Sequence, residues 1–257
     1  GDIGVHYGAD VPTIACCELL KERADVLRRL FPGADVFEGD IWTQKTAIVD
    51  RVRARIGLSK RPWLLVMSPP CQGMSNNGAG RITSAISKGT RPKVDPRNRL
   101  ILPALDIVDE LQPEVIVIEN VRRMTRTEIE NEMGCSENVI ALVRRRLKAY
   151  TVQPKVIDAA SYGVPQTRER LITVCFRGTT DSALHSPLTH GVDGVPCVSL
   201  EKATGHLAPL DALYCTKDAY DPLHCIPSWS LLQYEWMRAT PEGCTAFDNG
   251  CTRCGNT

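Results

Sequence analysis

At 257 residues and 28.3 kDa the chain can hold one α/β domain with a sizeable core plus a small appendage, and it is too long for a peptide-sized module. Hydrophobic residues at 43% and charged residues at 24% are ordinary for a soluble globular protein, and no apolar run reaches the length that spans a bilayer. A formal net charge of only +1 excludes a protein held on nucleic acid by bulk charge, so any such site has to be a local basic patch.

The opening GDIGVHYGAD has neither the basic start nor the long apolar stretch of a secretory signal. That composition points to an intracellular protein, in the cytoplasm or nucleoid of a prokaryote or the nucleus of a eukaryote. The eleven cysteines then read as thiols or ligands. Cys16, Cys17 and Cys175 sit in apolar runs, where a thiol behaves as a small hydrophobe.

Strands alternate with helical patterns from residue 12 to 177. VPTIACCE reads as a buried strand, LLKERADVLRRLF as an amphipathic helix, and ADVFEGD as a second strand. TQKTAIVDRVRARIG has helical spacing and a glycine stop. WLLVMSPP is the next strand, RNRLILPALDIVDELQ a helix with Pro103 near its first turns, and EVIVIEN a strand ending in Glu119-Asn120. ENVIALVRRRLKAY is helical, with RRR at 144–146 as its polar face, and TVQPKVIDA and RLITVCFR are two further strands. Repeated strand-helix-strand units imply a largely parallel, doubly wound sheet with its ligands at the carboxyl ends of the strands.

One strand ends unusually. LLVMSPPCQGMS, residues 64 to 75, runs into two prolines and then presents Cys71 on a stiff turn at the sheet edge, where a ligand can reach a nucleophile. Glu18, Asp40, Pro70 and Glu119 also fall at strand ends, so the fold gathers them along one rim. An acid ending a second strand often binds ribose hydroxyls, which makes Glu18 a nucleoside-binding candidate; taken singly, each acid reads first as a helix cap or solvated turn residue, and it is their shared position that points to a site.

After residue 178 the texture changes. GTTDSALHSPLTHGVDGVPC is rich in Gly, Pro, Ser and Thr and marks a boundary, and SWSLLQYEWMRAT reads as one helix. The tail carries Cys251 and Cys254 in a C-x-x-C, with Cys244 the nearest further thiol. These read as part of a structural zinc site or as ordinary loop cysteines.

PPCQGMS at 69–75, ENV at 119–121 and QTRER at 166–170, in that order, resemble the DNA cytosine-5 methyltransferase family over residues 1 to about 178. ELL at 18–20 and GDI at 39–41 resemble its cofactor-binding positions, and DPRNRL at 95–100 resembles its next helix entry. The resemblance implies a Rossmann-like fold of the S-adenosylmethionine-dependent methyltransferase type. It implies cofactor contacts from Gly4, Glu18, Leu19, Asp40, Ile41, Pro70 and Leu100. It also implies a catalytic group of Cys71, Gln72, Glu119, Arg168 and Arg170.

The implied chemistry explains these residue types. Carbon 5 of cytosine is a poor nucleophile until a thiolate, Cys71, adds at carbon 6. Glu119 relieves the charge that builds at ring nitrogen 3, and Arg168 and Arg170 stabilise it at the base oxygen. The target is buried in the stack, so double-stranded DNA as partner implies base flipping. NNGAGRITSAISKGTRPK after Cys71 offers Arg81, Lys88, Arg91 and Lys93 to phosphates, with Ser75 ahead of them, or is a solvated surface loop.

Within that resemblance the chain opens at GDIG, the tail of the family's glycine-rich turn, with the first strand missing. The catalytic domain is expected over 1–178 and the start of a loop-rich target recognition domain over 179–257, so missing segments or a complementing subunit enter the expectation. Two other readings stand beside the enzyme: a catalytically idle DNA-binding or regulatory family member, and a methyltransferase of structured RNA.

Overall fold

The computed structural model describes residues 8, 10–70 and 96–245. The chain divides into two compact units, 1–197 and 198–257, so the Gly- and Ser-rich stretch from 179 to 197 belongs to the first.

In the first unit β1 (Ala15–Glu18) and β2 (Asp35–Glu38) pair in parallel through α1 (Lys21–Leu30), with Glu18 beside Glu38 in register. Helix α2 (Ile41–Ile56) starts where the Asp40 carboxylate accepts the Trp42 N–H at 3.0 Å, and it stops at Gly57. Strand β3 (Leu64–Met67), a 3₁₀ turn (Pro96–Leu100), α3 (Ile101–Leu111) and β4 (Val115–Asn120) follow. A 3₁₀ turn at Arg122–Arg126 leads into a hairpin of β5 (Glu128–Glu130) and β6 (Ser136–Asn138). The Asn138 side chain then caps α4 (Val139–Arg146). Strand β7 (Tyr150–Asp158), a 3₁₀ turn (Ala159–Tyr162) and β8 (Glu169–Arg177) complete the sequence of elements.

The main sheet has the order β3-β4-β8-β7. β3 and β4 are parallel, but β4–β8 and β7–β8 are antiparallel. The parallel pattern therefore holds only where a helix crosses between strands. The link from β7 to β8 carries a single 3₁₀ turn, too short for a crossover, so the chain doubles back and β8 inserts beside β4. Among the described residues β1 pairs only with β2. That pair joins the main sheet through a shared apolar core, in which Cys17 and Phe37 pack with Leu65 against Ile48, Val49, Val52, Ile107 and Leu111.

The larger core lies between β4, β8, α3 and α4, with Ile101, Leu105, Ile116, Leu142, Val143 and Cys175 almost wholly buried. Each such aliphatic side chain contributes about 1.5–3 kcal/mol relative to exposure. Burial alternates along β4, with Ile116, Ile118 and Asn120 inside and Val115, Val117 and Glu119 on the other face. This follows from the two-residue side-chain period of a strand. Beside the core, Asp106 of α3 takes Lys45 of α2 at 2.6 Å and Arg146 of α4 at 2.9 Å, tying three helices together. The expected polar face at 144–146 is thus two-thirds committed: Arg145 pairs with Glu132 and Glu137, and Arg146 with Asp106 and Asp109.

The second unit holds α5 (Leu200–Thr204) and α6 (Leu231–Ala239). Ser230 and Gln233 form a capping box at the start of α6, and Tyr234 Oη donates to Asp211 at 2.6 Å.

Candidate active site

Four strand ends meet at one edge of the main sheet. Parallel pairing puts the carboxyl ends of β3 and β4 side by side, and the two antiparallel pairings bring the start of β8 and the end of β7 to the same edge. Pro69-Pro70, Glu119-Asn120, Arg170 and Asp158 are the residues delivered there.

Glu119 lies opposite Ile172 in the β4–β8 register. Arg170, two residues earlier on β8, is its diagonal neighbour on the same face. The outcome is an ion pair, Arg170 Nε to Glu119 Oε1 at 3.1 Å, with Glu119 39% and Arg170 23% exposed. Arg170 Nη1 also donates to the Glu169 carbonyl oxygen at 2.7 Å, which fixes the guanidinium from its other end.

Asn120, on the opposite face, is 2% exposed. Its Nδ2 donates to the Pro69 carbonyl oxygen at 3.0 Å, and its Oδ1 accepts the Val121 N–H at 2.8 Å. The end of β4 is thereby tied to the residue two positions before Cys71. Asp158 Oδ1 accepts both Ala160 N–H at 3.1 Å and Arg168 N–H at 2.8 Å, closing the turn that leads into β8. The Arg168 side chain is exposed on that turn. The structure therefore brings Arg170 onto Glu119, while Arg168 stands beside the pair with its backbone held.

At the ends of β1 and β2, Glu18 Oε1 accepts the Leu20 N–H at 3.0 Å, and the Gly39 N–H is bonded to the Glu18 carbonyl at 3.0 Å. Asp40 caps α2, as one of its two sequence readings anticipated. Leu19 beside these acids is 63% exposed, whereas Ile41 is half-buried against both cores. An open aliphatic side chain beside two carboxylates fits a nucleoside, with an apolar base on one side and hydroxyls to bind on the other. Leu100 closes the 3₁₀ turn ahead of α3, and Pro70 is exposed at the edge of the main sheet.

Two described cysteines can be set aside as nucleophiles. Burial pushes the Cys175 thiol up to about 12. Burial, and then the negative charges of Glu18 and Asp40, raise that of Cys17. Cys71, Gln72, Gly4, Ser75, Arg81, Lys88, Arg91, Cys251 and Cys254 lie outside the described residues. Cys244 is exposed, and among the described residues no group of three or more His, Cys, Asp or Glu side chains is placed to hold a metal ion, which leaves the zinc reading unsupported.

Asn120 and Asp158 were not singled out from sequence. Asn120 carried only its place in the ENV motif, with no role attached, and the only signal for Asp158 was a short polar side chain at the last position of a strand, which reads as an ordinary turn residue.

The family of C-5 cytosine-specific DNA methylases matches residues 5–198. The Type II methyltransferase M1.HgaI of Avibacterium volantium is 33% identical over 247 residues, covering 95% of this chain and 62% of that protein. The Type II methyltransferase M.AquIA of Picosynechococcus sp. is 31% identical over 194 residues, covering 74% of this chain and 72% of that protein. The chain thus spans about two thirds of the length of these relatives. A solved structure of a putative DNA modification methyltransferase encoded within a prophage of E. coli superposes with a TM-score of 0.53 at 18% identity. It covers 77% of this chain and 50% of that one, a likeness of fold. With a match over three quarters of its length, and with the ENV and QTRER segments meeting at one sheet edge, the chain belongs to the C-5 cytosine-specific DNA methylase family.

Proposed function

We propose that the protein carrying this chain methylates carbon 5 of cytosine in duplex DNA as the modification enzyme of a restriction-modification pair. The observation that carries this reading is the Glu119–Arg170 ion pair at 3.1 Å, on a strand whose next residue, Asn120, is bonded to Pro69 at 3.0 Å. In this reading, the residue that acts on the ring and the strand end that leads toward the thiol are held by adjacent residues of one strand.

Cys71 is the nucleophile in this reading. Its thiolate forms a bond to carbon 6 of a flipped-out cytosine, the 5,6 double bond opens, and the electron pair moves toward nitrogen 3 and the base oxygen. Glu119, in its protonated form, gives a proton to nitrogen 3 and so relieves that charge, with its direction set by Arg170. Arg168 supplies positive charge from the adjoining turn, and Gln72, next to Cys71 in the sequence, belongs to the same catalytic group. Glu18 and Asp40 face the ribose end of S-adenosylmethionine, with Leu19 against its base and Ile41, Pro70 and Leu100 completing the pocket; Gly4 is a further cofactor contact in this reading. When bound, that cofactor supplies an electrophilic methyl group. Carbon 5 takes up that methyl group, a base removes the carbon 5 proton, and the carbon 6–sulfur bond breaks, which returns the Cys71 thiolate and restores the 5,6 double bond. Ser75, Arg81, Lys88 and Arg91 contact the phosphates of the substrate.

The test is transfer of a labelled methyl group from S-adenosylmethionine, with duplex DNA and structured RNA offered separately, followed by hydrolysis to nucleosides. Label in 5-methyldeoxycytidine supports the reading. Label only in RNA moves the activity to the other nucleic acid, and no transfer to either, despite cofactor binding, leaves the idle-partner reading.

A further inference from the structure

The 3₁₀ turn at Arg122–Arg126 directly follows Glu119-Asn120-Val121. Three residues make one turn of a 3₁₀ helix, so positions three apart eclipse one another. Arg123 and Arg126 therefore share one side. Met124, 2% exposed, points into the core, and Arg122 points to β8, where its Nη1 reaches both oxygens of Glu169 at 2.9 and 3.0 Å.

Both Arg123 and Arg126 are exposed, and neither has a carboxylate partner among the described residues. The acids that could have neutralised them are engaged elsewhere: Glu169 by Arg122, Glu130 by Arg99 at 3.0 Å, Glu119 by Arg170, and Glu128 by Ser136 Oγ at 2.8 Å. Two like charges stacked on one side of a turn repel each other unless an external anion lies across them.

The turn is also held rigidly. Thr125 Oγ1 donates to the Arg122 carbonyl at 3.0 Å, Thr127 Oγ1 to that of Arg123 at 3.1 Å, and Asn138 Nδ2 to that of Thr125 at 3.0 Å. A fixed backbone lowers the entropic cost of presenting the two guanidinium groups together. The chain length between them puts the Arg123 Cα at most about 14 Å from that of Glu119. A base reached by Glu119 has its own strand's phosphates within the span of that distance and an arginine side chain.

We infer that Arg123 and Arg126 form a phosphate clamp that grips the DNA backbone beside the cytosine addressed by Glu119. This rests on the DNA-methylating reading above and adds to it a contact surface on the rigid scaffold. The clamp fixes position along the backbone and carries no base preference, since guanidinium–phosphate contacts are independent of sequence.

The experiment measures binding of the purified protein to a short fluorescent DNA duplex across salt from about 50 to 200 mM. It compares the unaltered protein with Arg123→Gln/Arg126→Gln and with Arg123→Lys/Arg126→Lys. Loss of two phosphate contacts makes the slope of log affinity against log salt shallower by about 1.8 in the Gln pair, and the Lys pair keeps the original slope. Unaltered far-UV circular dichroism shows that both variants fold. If the protein binds duplex DNA and the Gln pair leaves the slope unchanged, the clamp is wrong and the DNA reading stands. If the unaltered protein does not bind duplex DNA, the DNA reading fails and the clamp with it.

Discussion

Asn120 Nδ2 donates to the carbonyl oxygen of Pro69 at 3.0 Å, from a side chain 2% exposed and 51 residues away in sequence. This bond couples the strand that carries Glu119 to the one that leads to Cys71. Removing a buried donor leaves the Pro69 carbonyl unsatisfied, at about 1–3 kcal/mol. Asn120→Ala should lower thermal stability by that amount. It should also reduce kcat by about 100-fold through misplacement of the two segments, with KM for DNA changing far less. A kcat that follows the folded fraction alone would show that the bond is only structural.

Arg170 and Glu119 meet because β8 runs antiparallel to β4 in the register Glu119↔Ile172. Glu119→Gln keeps the shape and removes the acid function, and single-turnover methylation should fall by at least about 100-fold. Arg170→Lys retains the charge but loses the planar fork that also reaches the Glu169 carbonyl. It should fall between the unaltered protein and Arg170→Ala; Lys equal to Arg would mean that charge alone suffices.

Gly163 ends the 3₁₀ turn before Arg168 with φ +85°, and a Cβ there would lie 2.7 Å from His190 Cε1. Gly163→Ala therefore meets a backbone penalty and a clash, together about 1–3 kcal/mol. His190→Ala removes the clash and leaves the φ penalty, so the double variant should recover only part of the loss in chemical denaturation.

Asp106 gives a pH prediction. Burial pushes its carboxyl up, but the hydrogen bonds from Lys45 and Arg146 outweigh that and hold it below the ordinary 3.8. A carboxylate whose folded value is depressed stabilises the fold above its unfolded value, and that contribution is lost as pH falls through the folded one. Stability should therefore drop on acidification below about pH 4. Asp106→Asn should cost about 1–2 kcal/mol near neutrality, allowing for partial solvent screening, and flatten the acid limb. Melting curves across pH check both.

The alternating strands and helices of the first unit were legible because apolar periodicity of 2 and 3.6 is local, and every strand and helix read there formed near its expected place. The antiparallel insertion of β8 was not, since the order of strands in a sheet is settled by packing and by the length of the link. The hairpin of β5 and β6 went unread for another reason. Its turn is built by Asn131, whose Oδ1 accepts the Met133 and Cys135 N–H groups at 3.0 Å each, and nothing in EIENEMGCSEN alternates strongly enough to announce two three-residue strands. At the site, Glu119 was visible as an acid at a strand end. Its partner was not: Arg168 and Arg170 look alike in QTRER, and only the register selects Arg170.

The most direct measurement is a covalent trap. The purified protein is incubated with S-adenosylmethionine and duplex DNA containing 5-fluorocytosine, whose fluorine blocks the final elimination, and denaturation-resistant complexes are resolved by gel and mass spectrometry. The proposed mechanism predicts a protein–DNA adduct at Cys71 that disappears in Cys71→Ser. Methylation of ordinary duplex DNA without any trapped adduct, or an adduct that survives Cys71→Ser, would contradict it.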